Sequence, residues 1–461
     1  MLDGKKSPVT IRRSDTRGDE VIKTKANAVC LMFFLMALTG QATAQPLNTL
    51  AYFQGTNGAN PQAPLLASGT MLYGTTFAGG ISNVGTVFGF NTATHVLNTI
   101  YTFTNGNDGR NPEAGLAMSG NILYGTTSVG GPQGSGTLFA YNLTSNTFAS
   151  IYNFNGGQNG GNPEAGLLLV GNALYGTTFL GGTGLGTVFR INIDGTAYTN
   201  LHVFTGGTNG SNPQSTLILS GNTLYGTSYG PYPSGSGYGT VFKINTDGHN
   251  FSNVYVFTGG NDGANPAAGL ILSGNMLYGT AYNGGDEGLG TVFSVSTNGG
   301  SFQSYSFDFD DGANPQSGLT LVGSTLYGTT TGGGEWTWGG IFSLGTDGSN
   351  LTNLYSFTDD GDGATPEAGL TLVGSTFYGT THDQTDYSEG TLFGLAAMNY
   401  SISLGYSLQN GKLVLTWSNS GFSLLSSTNV RGVAYTNVSG AMSPYTNNLA
   451  GKVRFFELKG N

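Results

Sequence analysis

Charge is what this sequence has least of. Only 9% of its 461 residues are Asp, Glu, Lys or Arg, against roughly 25% in ordinary soluble domains. A coiled coil or helical bundle is excluded, because both depend on Glu, Lys and Arg at regular spacing. There is one cysteine, Cys30, and only three tryptophans. The longest apolar run, residues 26–38 (ANAVCLMFFLMAL), is 13 residues, short of the ~20 that span a bilayer. What the chain has instead is glycine, 79 residues, with 27 Phe and 24 Tyr. A 38% hydrophobic content with that many rings excludes a disordered chain.

The apolar run follows Lys23 and Lys25 and precedes Gln41-Ala42-Thr43-Ala44. A basic flank, a short apolar core and an A-x-A site predict a secretory signal peptide over residues 1–44, cut after Ala44. Cys30 leaves with it, so neither disulfides nor thiol chemistry is expected. The segment holds seven Lys/Arg and four Asp/Glu; the remaining chain keeps eight and 21, a net charge of about −13. No cationic patch is available for phosphate backbones, so nucleic acid is not an expected partner. The mature chain carries no expected membrane span.

A tetrad Tyr-Gly-Thr-(Thr/Ser/Ala) begins at Tyr73, Tyr124, Tyr175, Tyr225, Tyr278, Tyr327 and Tyr378. Seven copies about 50 residues apart predict propeller blades. In the third unit, residues 166–170, 173–179, 186–191 and 201–204 read as strands A to D. Gly171-Asn172 and Asp194-Gly195 are hairpin turns, because these residues accept positive φ. Strand D recurs in six units; the seventh unit ends after strand C, and an extra D-type strand, residues 49–53, precedes the first unit. The expectation is all-β: a seven-bladed β-propeller over residues 45–398, closed by an N-terminal strand that leaves no free sheet edge. Residues 399–461 form a separate small β-sandwich-like module with Trp417 in its core and five of the eight remaining basic residues. It reads either as a surface-attachment module or as a β-sandwich packed beside the propeller.

Units such as LYGTTFLGGTGLGTVFRINIDG followed by LHVFTGGTNGSNPQ resemble the GloVer tandem-repeat (choice-of-anchor) family of secreted bacterial proteins. The resemblance covers all seven units. It implies export and a propeller of repeats, and it implies no activity. Kelch repeats also carry Gly-Gly after the second strand, but their regular Trp is missing here.

Function is expected on the face that gathers the B–C and D–A loops. The D–A loops repeat Asn-Pro at Asn60, Asn111, Asn162, Asn212, Asn265 and Asn314, with Thr365-Pro366 in the seventh. Two are acidic, Asp308/Asp310/Asp311 and Asp359/Asp360/Asp362, and read either as Ca²⁺ ligands or as turn chemistry. The B–C loops are where the repeats diverge. Tyr232 and Tyr238 stand in blade 4 and Glu335, Trp336 and Trp338 in blade 6. His382, Asp383, Asp386, Tyr387 and Glu389 stand in blade 7. Rings for stacking on sugars, flanked by acids for hydroxyls, make these ten the candidate ligand-binding residues.

Three functions remain open on sequence. The first is an exported, non-catalytic binding or scaffold propeller for a glycan or a surface protein. The second is a polysaccharide hydrolase or lyase using Glu335, Asp383, Asp386 and Glu389, with His382–Asp383 as base and orienter. The third is a purely structural surface protein. The four histidines are scattered and no phosphate loop or G-x-S-x-G elbow is present, so no metal and no cofactor are expected.

Overall fold

The computed structural model describes residues 47–230, 237–383 and 389–397, together with the backbone of eight short strands within 1–41 and 399–461. Residues 42–398 form one unit, and residues 1–41 with 399–461 form the other.

The larger unit is a seven-bladed propeller of four-stranded antiparallel sheets, each with its strands in the order A-B-C-D. Blade 3 is Leu168–Val170, Ala173–Thr178, Thr187–Asn192 and Thr199–Val203. Its strand A is two residues shorter than the spacing predicts. Gly166 turns away from strand B and lies against Gly115 and Thr216 of the neighbouring blades. Blade 7 takes Thr371–Val373, Thr376–Thr381 and Thr391–Ala396, and its fourth strand is Leu47–Tyr52 from the chain's other end. Register pairs include Leu47 with Leu395 and Tyr52 with Thr391. The ring is therefore closed by the N-terminal strand, as its displaced copy predicts. The one helical element among the described residues is a 3₁₀ turn, Gly207–Asn209.

Blades adhere through one repeated contact. The Phe that ends each strand D packs edge-on against the strand C Phe of the next blade. Phe154–Phe189, Phe204–Phe242 and Phe257–Phe293 have ring centroids 5.1–5.4 Å apart, and Phe53–Phe88 does the same across the closure at 5.0 Å. Each such pair contributes ~0.5–1.5 kcal/mol beyond its buried area. The Gly of the Tyr-Gly-Thr tetrad makes room for that ring: a Cβ on Gly176 would lie 2.7 Å from Phe189 Cζ. The two Thr of the tetrad face a polar layer. The first donates to the next blade, as Thr177 Oγ1 does to the Pro213 carbonyl. The second pairs with the first residue of strand C, as in Thr178–Thr187 at 2.9 Å.

In the smaller unit, Val9–Arg12, Val21–Thr24, Phe422–Ser427, Thr436–Asn437 and Phe455–Gly460 share one sheet. Gly405–Gln409, Lys412–Thr416 and Tyr445–Asn448 share another. Residues 26–38 and Trp417 lie outside the described residues.

Candidate functional site on the loop face

The B–C and D–A loops meet at one end of the propeller, and the Asn-Pro motif locks them together. The residue before each proline has positive φ, from 49° at Thr365 to 57° at Asn265, a conformation Asn tolerates because its short polar side chain bonds locally. Asn111 is representative. Its N–H donates to Val84 O and its Nδ2 to Phe77 O, both in the B–C loop of blade 1. Its own carbonyl accepts from Ser128 N in blade 2. Each proline also seats on a glycine of the preceding blade: a Cβ on Gly186 would lie 2.6 Å from Pro213 Cδ.

Each acidic loop commits one carboxylate to the same framework: Asp308 Oδ1 accepts from Asp311 N at 2.9 Å in the first, and Asp362 serves the second. Asp362 accepts from Tyr355 OH, Thr358 N and Thr358 Oγ1 at 2.7–2.9 Å, and Asp108 and Asp262 do the same in their loops. This is turn chemistry. Among the described residues, no group of three or more His, Cys, Asp or Glu is placed to hold a metal ion.

Of the sequence-derived site residues, Tyr232, Asp386 and Tyr387 lie outside the described residues. Tyr238 is 49% exposed and its ring covers Gly259 of the next loop. Trp336 and Trp338 are 51% and 39% exposed, on a tight loop held by Glu335 N bonding to Ser356 Oγ and Gly339 N to Gly333 O. Between them Thr337 has φ 72°, where the matching positions of blades 2 and 5 are Gly134 at 76° and Gly288 at 77°. A β-branched residue in that region costs ~1–2 kcal/mol, so the loop holds both tryptophans outward at the expense of strain. Phe309, which the sequence reading passed over, is 47% exposed, and its carbonyl accepts from Gly334 N of the tryptophan loop.

His382 and Asp383 form a pair, Nδ1 to Oδ1 at 2.8 Å. Asp383 also serves the framework. Its Oδ2 accepts from Thr365 Oγ1 and its Oδ1 from Asn60 Nδ2, both at 3.3 Å. Thr365 has no side-chain amide to reach the preceding loop as Asn does; it holds to blade 6 by its N–H to Trp338 O and to blade 7 by the Asp383 bond. The Glu389 carboxylate lies over Gly55, and its carbonyl accepts from Asn60 N. The structure thus gathers His382, Asp383 and Glu389 at the closing junction, and places Glu335, Trp336 and Trp338 on blade 6 and Tyr238 on blade 4.

The sequence reading missed a second set. The residue after each Asn-Pro is Gln62, Glu113, Glu164, Gln214, Ala267, Gln316 and, after Thr365-Pro366, Glu367. Glu113 of blade 2 interacts electrostatically with Glu164 of blade 3 and with Glu367 of blade 7, so these side chains turn towards the propeller axis. Gln214 Nε2 donates to Glu164 Oε2 at 2.8 Å. Burial, then the Glu113 charge, pushes the Glu164 carboxyl up to about 7 against the Gln214 bond. Burial also raises Glu113 and Glu367; Ser128 opposes it at the first and His382 at the second. The signal was in the repeat: one position that alternates only among Glu, Gln and Ala.

Two overlapping stretches, residues 34–184 and 157–335, match the Gloeobacter/Verrucomicrobia repeat. The chain belongs to this family. The likeness expected from the sequence is thereby borne out. No protein of curated function matches the chain. Among solved structures, similarity extends to an oligogalacturonate lyase from Vibrio parahaemolyticus at 10% identity, covering 77% of this chain and 94% of that one with a TM-score of 0.49. It extends also to an oligogalacturonate lyase in complex with manganese, at 12% identity, 78% and 95% coverage and a TM-score of 0.48. A chain of a nidogen/laminin complex follows at 14% identity, 61% and 91% coverage and a TM-score of 0.40. The assignment of the propeller rests on the strand pairing of this chain itself.

Proposed function

We propose that this chain is an exported, non-catalytic binding propeller that holds glycan on its loop face. One observation carries the reading. The exposed aromatic side chains among the described residues are Tyr52, Tyr238, Phe309, Trp336 and Trp338, and all five stand at the loop end of blades 4 to 7. Tyr238 covers Gly259 and Tyr52 OH donates to the Gly361 carbonyl, yet a propeller that otherwise buries its rings between blades leaves all five about half exposed at one end. Rings at successive blade junctions suit an extended sugar chain, each stacking on a C–H face. Export follows from the basic flank, apolar run and A-x-A site of residues 1–44, and N-terminal sequencing of secreted protein tests it.

The binding assay passes the purified chain over gels of neutral, acidic and amino polysaccharides and measures new chain ends in the same samples. Retention without new ends, abolished by Trp336→Ala/Trp338→Ala, is the expected result. Release of new ends instead supports the second reading, a polysaccharide hydrolase or lyase. What favours that reading is Glu164, whose raised pKa suits a general acid. No retention of any glycan overturns the binding reading and leaves a protein partner or a structural role.

A further inference from the structure

Resting on the glycan-binding reading, we infer that the ligand of the loop face on blades 5 to 7 is a glycan bearing free amino groups. No Lys or Arg stands between Lys243 and Lys412, so blades 5 to 7 offer no fixed positive charge. The same stretch crowds carboxylates around the exposed rings. Asp286 and Glu287 are in the B–C loop of blade 5, Asp308, Asp310 and Asp311 flank Phe309, and Glu335 adjoins Trp336.

The carboxylates of this propeller fall into two groups by what they bond. Those of Asp108, Asp262, Asp308 and Asp362 are consumed in closing their loops. On the opposite face, Asp194, Asp247 and Asp347 accept backbone N–H groups within their own turns. Asp286, Glu287 and Glu335 are exposed, and there the fold uses the backbone rather than the acid: Asp286 N and Glu335 N each donate to a strand D serine, Ser306 and Ser356. Asp310 likewise offers its carbonyl, to Asn353 Nδ2. Their carboxylates take no hydrogen bond from the described residues, and framework chemistry does not account for them. Burial first, and then the charges of Asp308 and Asp310, raise the Asp311 pKa.

A polyuronate meets repulsion on such a face. An N-acetylated or neutral glycan gains stacking and leaves the acids unpaired. An ammonium-bearing sugar gains both, because a cation is also drawn to the face of Trp.

The test uses the full chain and glucosamine oligomers, compared with N-acetylglucosamine oligomers of equal length and with oligogalacturonate, by calorimetry below pH 6.5. The free-amine oligomer is expected to bind at least about tenfold more tightly than the acetylated one, the gain of two ordinary exposed ion pairs. The gap closes at about 0.5 M salt. Asp286→Asn/Asp310→Asn/Glu335→Gln, checked for an unchanged melting transition, narrows it to about threefold or less. Equal affinity for both glucosamine forms, or preference for the acetylated form or the uronate, overturns this inference and leaves glycan binding standing. Equal binding of spermine, indifferent to Trp336→Ala/Trp338→Ala, overturns it as bare charge attraction. Failure of every oligomer overturns the glycan reading itself.

Discussion

Blade 5 lacks one half of a contact that five other blades complete. Thr76–Thr86, Thr127–Thr137, Thr178–Thr187, Ser228–Thr240 and Thr381–Thr391 pair hydroxyls at 2.8–2.9 Å. In blade 5 the partner is Ala281, and Thr291 Oγ1 is buried without a hydrogen bond. Ala281→Thr restores the pair. Space exists, because the residue facing that position is Gly263, matching Gly109 and Gly160, which face Thr127 and Thr178. An unsatisfied buried hydroxyl costs ~1–3 kcal/mol; the added hydroxyl must itself be desolvated, so the net gain is about 1–2 kcal/mol. With an unfolding entropy of ~2.1 cal/mol/K per residue, a unit of this size shifts by about 1.4 °C per kcal/mol. Scanning calorimetry of A281T is expected to show a rise of about 1–3 °C. The converse, Thr178→Ala, strands Thr187 and lowers the transition by a similar or larger amount. A fall in A281T alongside a fall in T178A refutes the reasoning, since the blade 5 gap would then be too tight for the pair that its neighbours hold.

Other outcomes follow from the same geometry. Gly186→Ala is expected to cost more than ~2 kcal/mol in chemical denaturation, because its φ is 96° and the new Cβ meets Thr178 O at 2.4 Å and Pro213 Cδ at 2.6 Å. Thr337→Gly relieves the strained tryptophan loop and raises stability by about 1 kcal/mol; an unchanged midpoint would show that the loop stores no strain. Glu164 gives a pH signature. Its folded pKa of about 7 lies above the ordinary 4.5, so the native state binds the extra proton and stability falls as pH rises from about 4.5 to about 7. Glu164→Gln reduces the slope of melting temperature across pH 4 to 8, leaving the part that Glu113 and Glu367 contribute, and leaves the value at pH 4 little changed.

The sequence alone determined the blade count, the closure and the face that carries loops. Those follow from local chemistry repeated seven times: turn dipeptides that accept positive φ, and strand C residues apolar on both sides because each sheet has two neighbours. The displaced seventh strand at Leu47–Tyr52 needed only counting. What tertiary structure decided was which polar residues are already spoken for. Asp383 and Asp362 read like candidate ligands in one dimension, yet their partners Thr365, Tyr355 and Thr358 lie across a loop or a blade junction. Glu113, Glu164 and Glu367 read as loop filler 51 and 203 positions apart, and only ring closure brings them to one axis, where shared burial raises their pKa values. Phe309 was invisible for the opposite reason. A phenylalanine in a strand-rich sequence is assigned to the core, and its exposure arises because Phe307, two residues earlier, already fills the inter-blade position against Phe342.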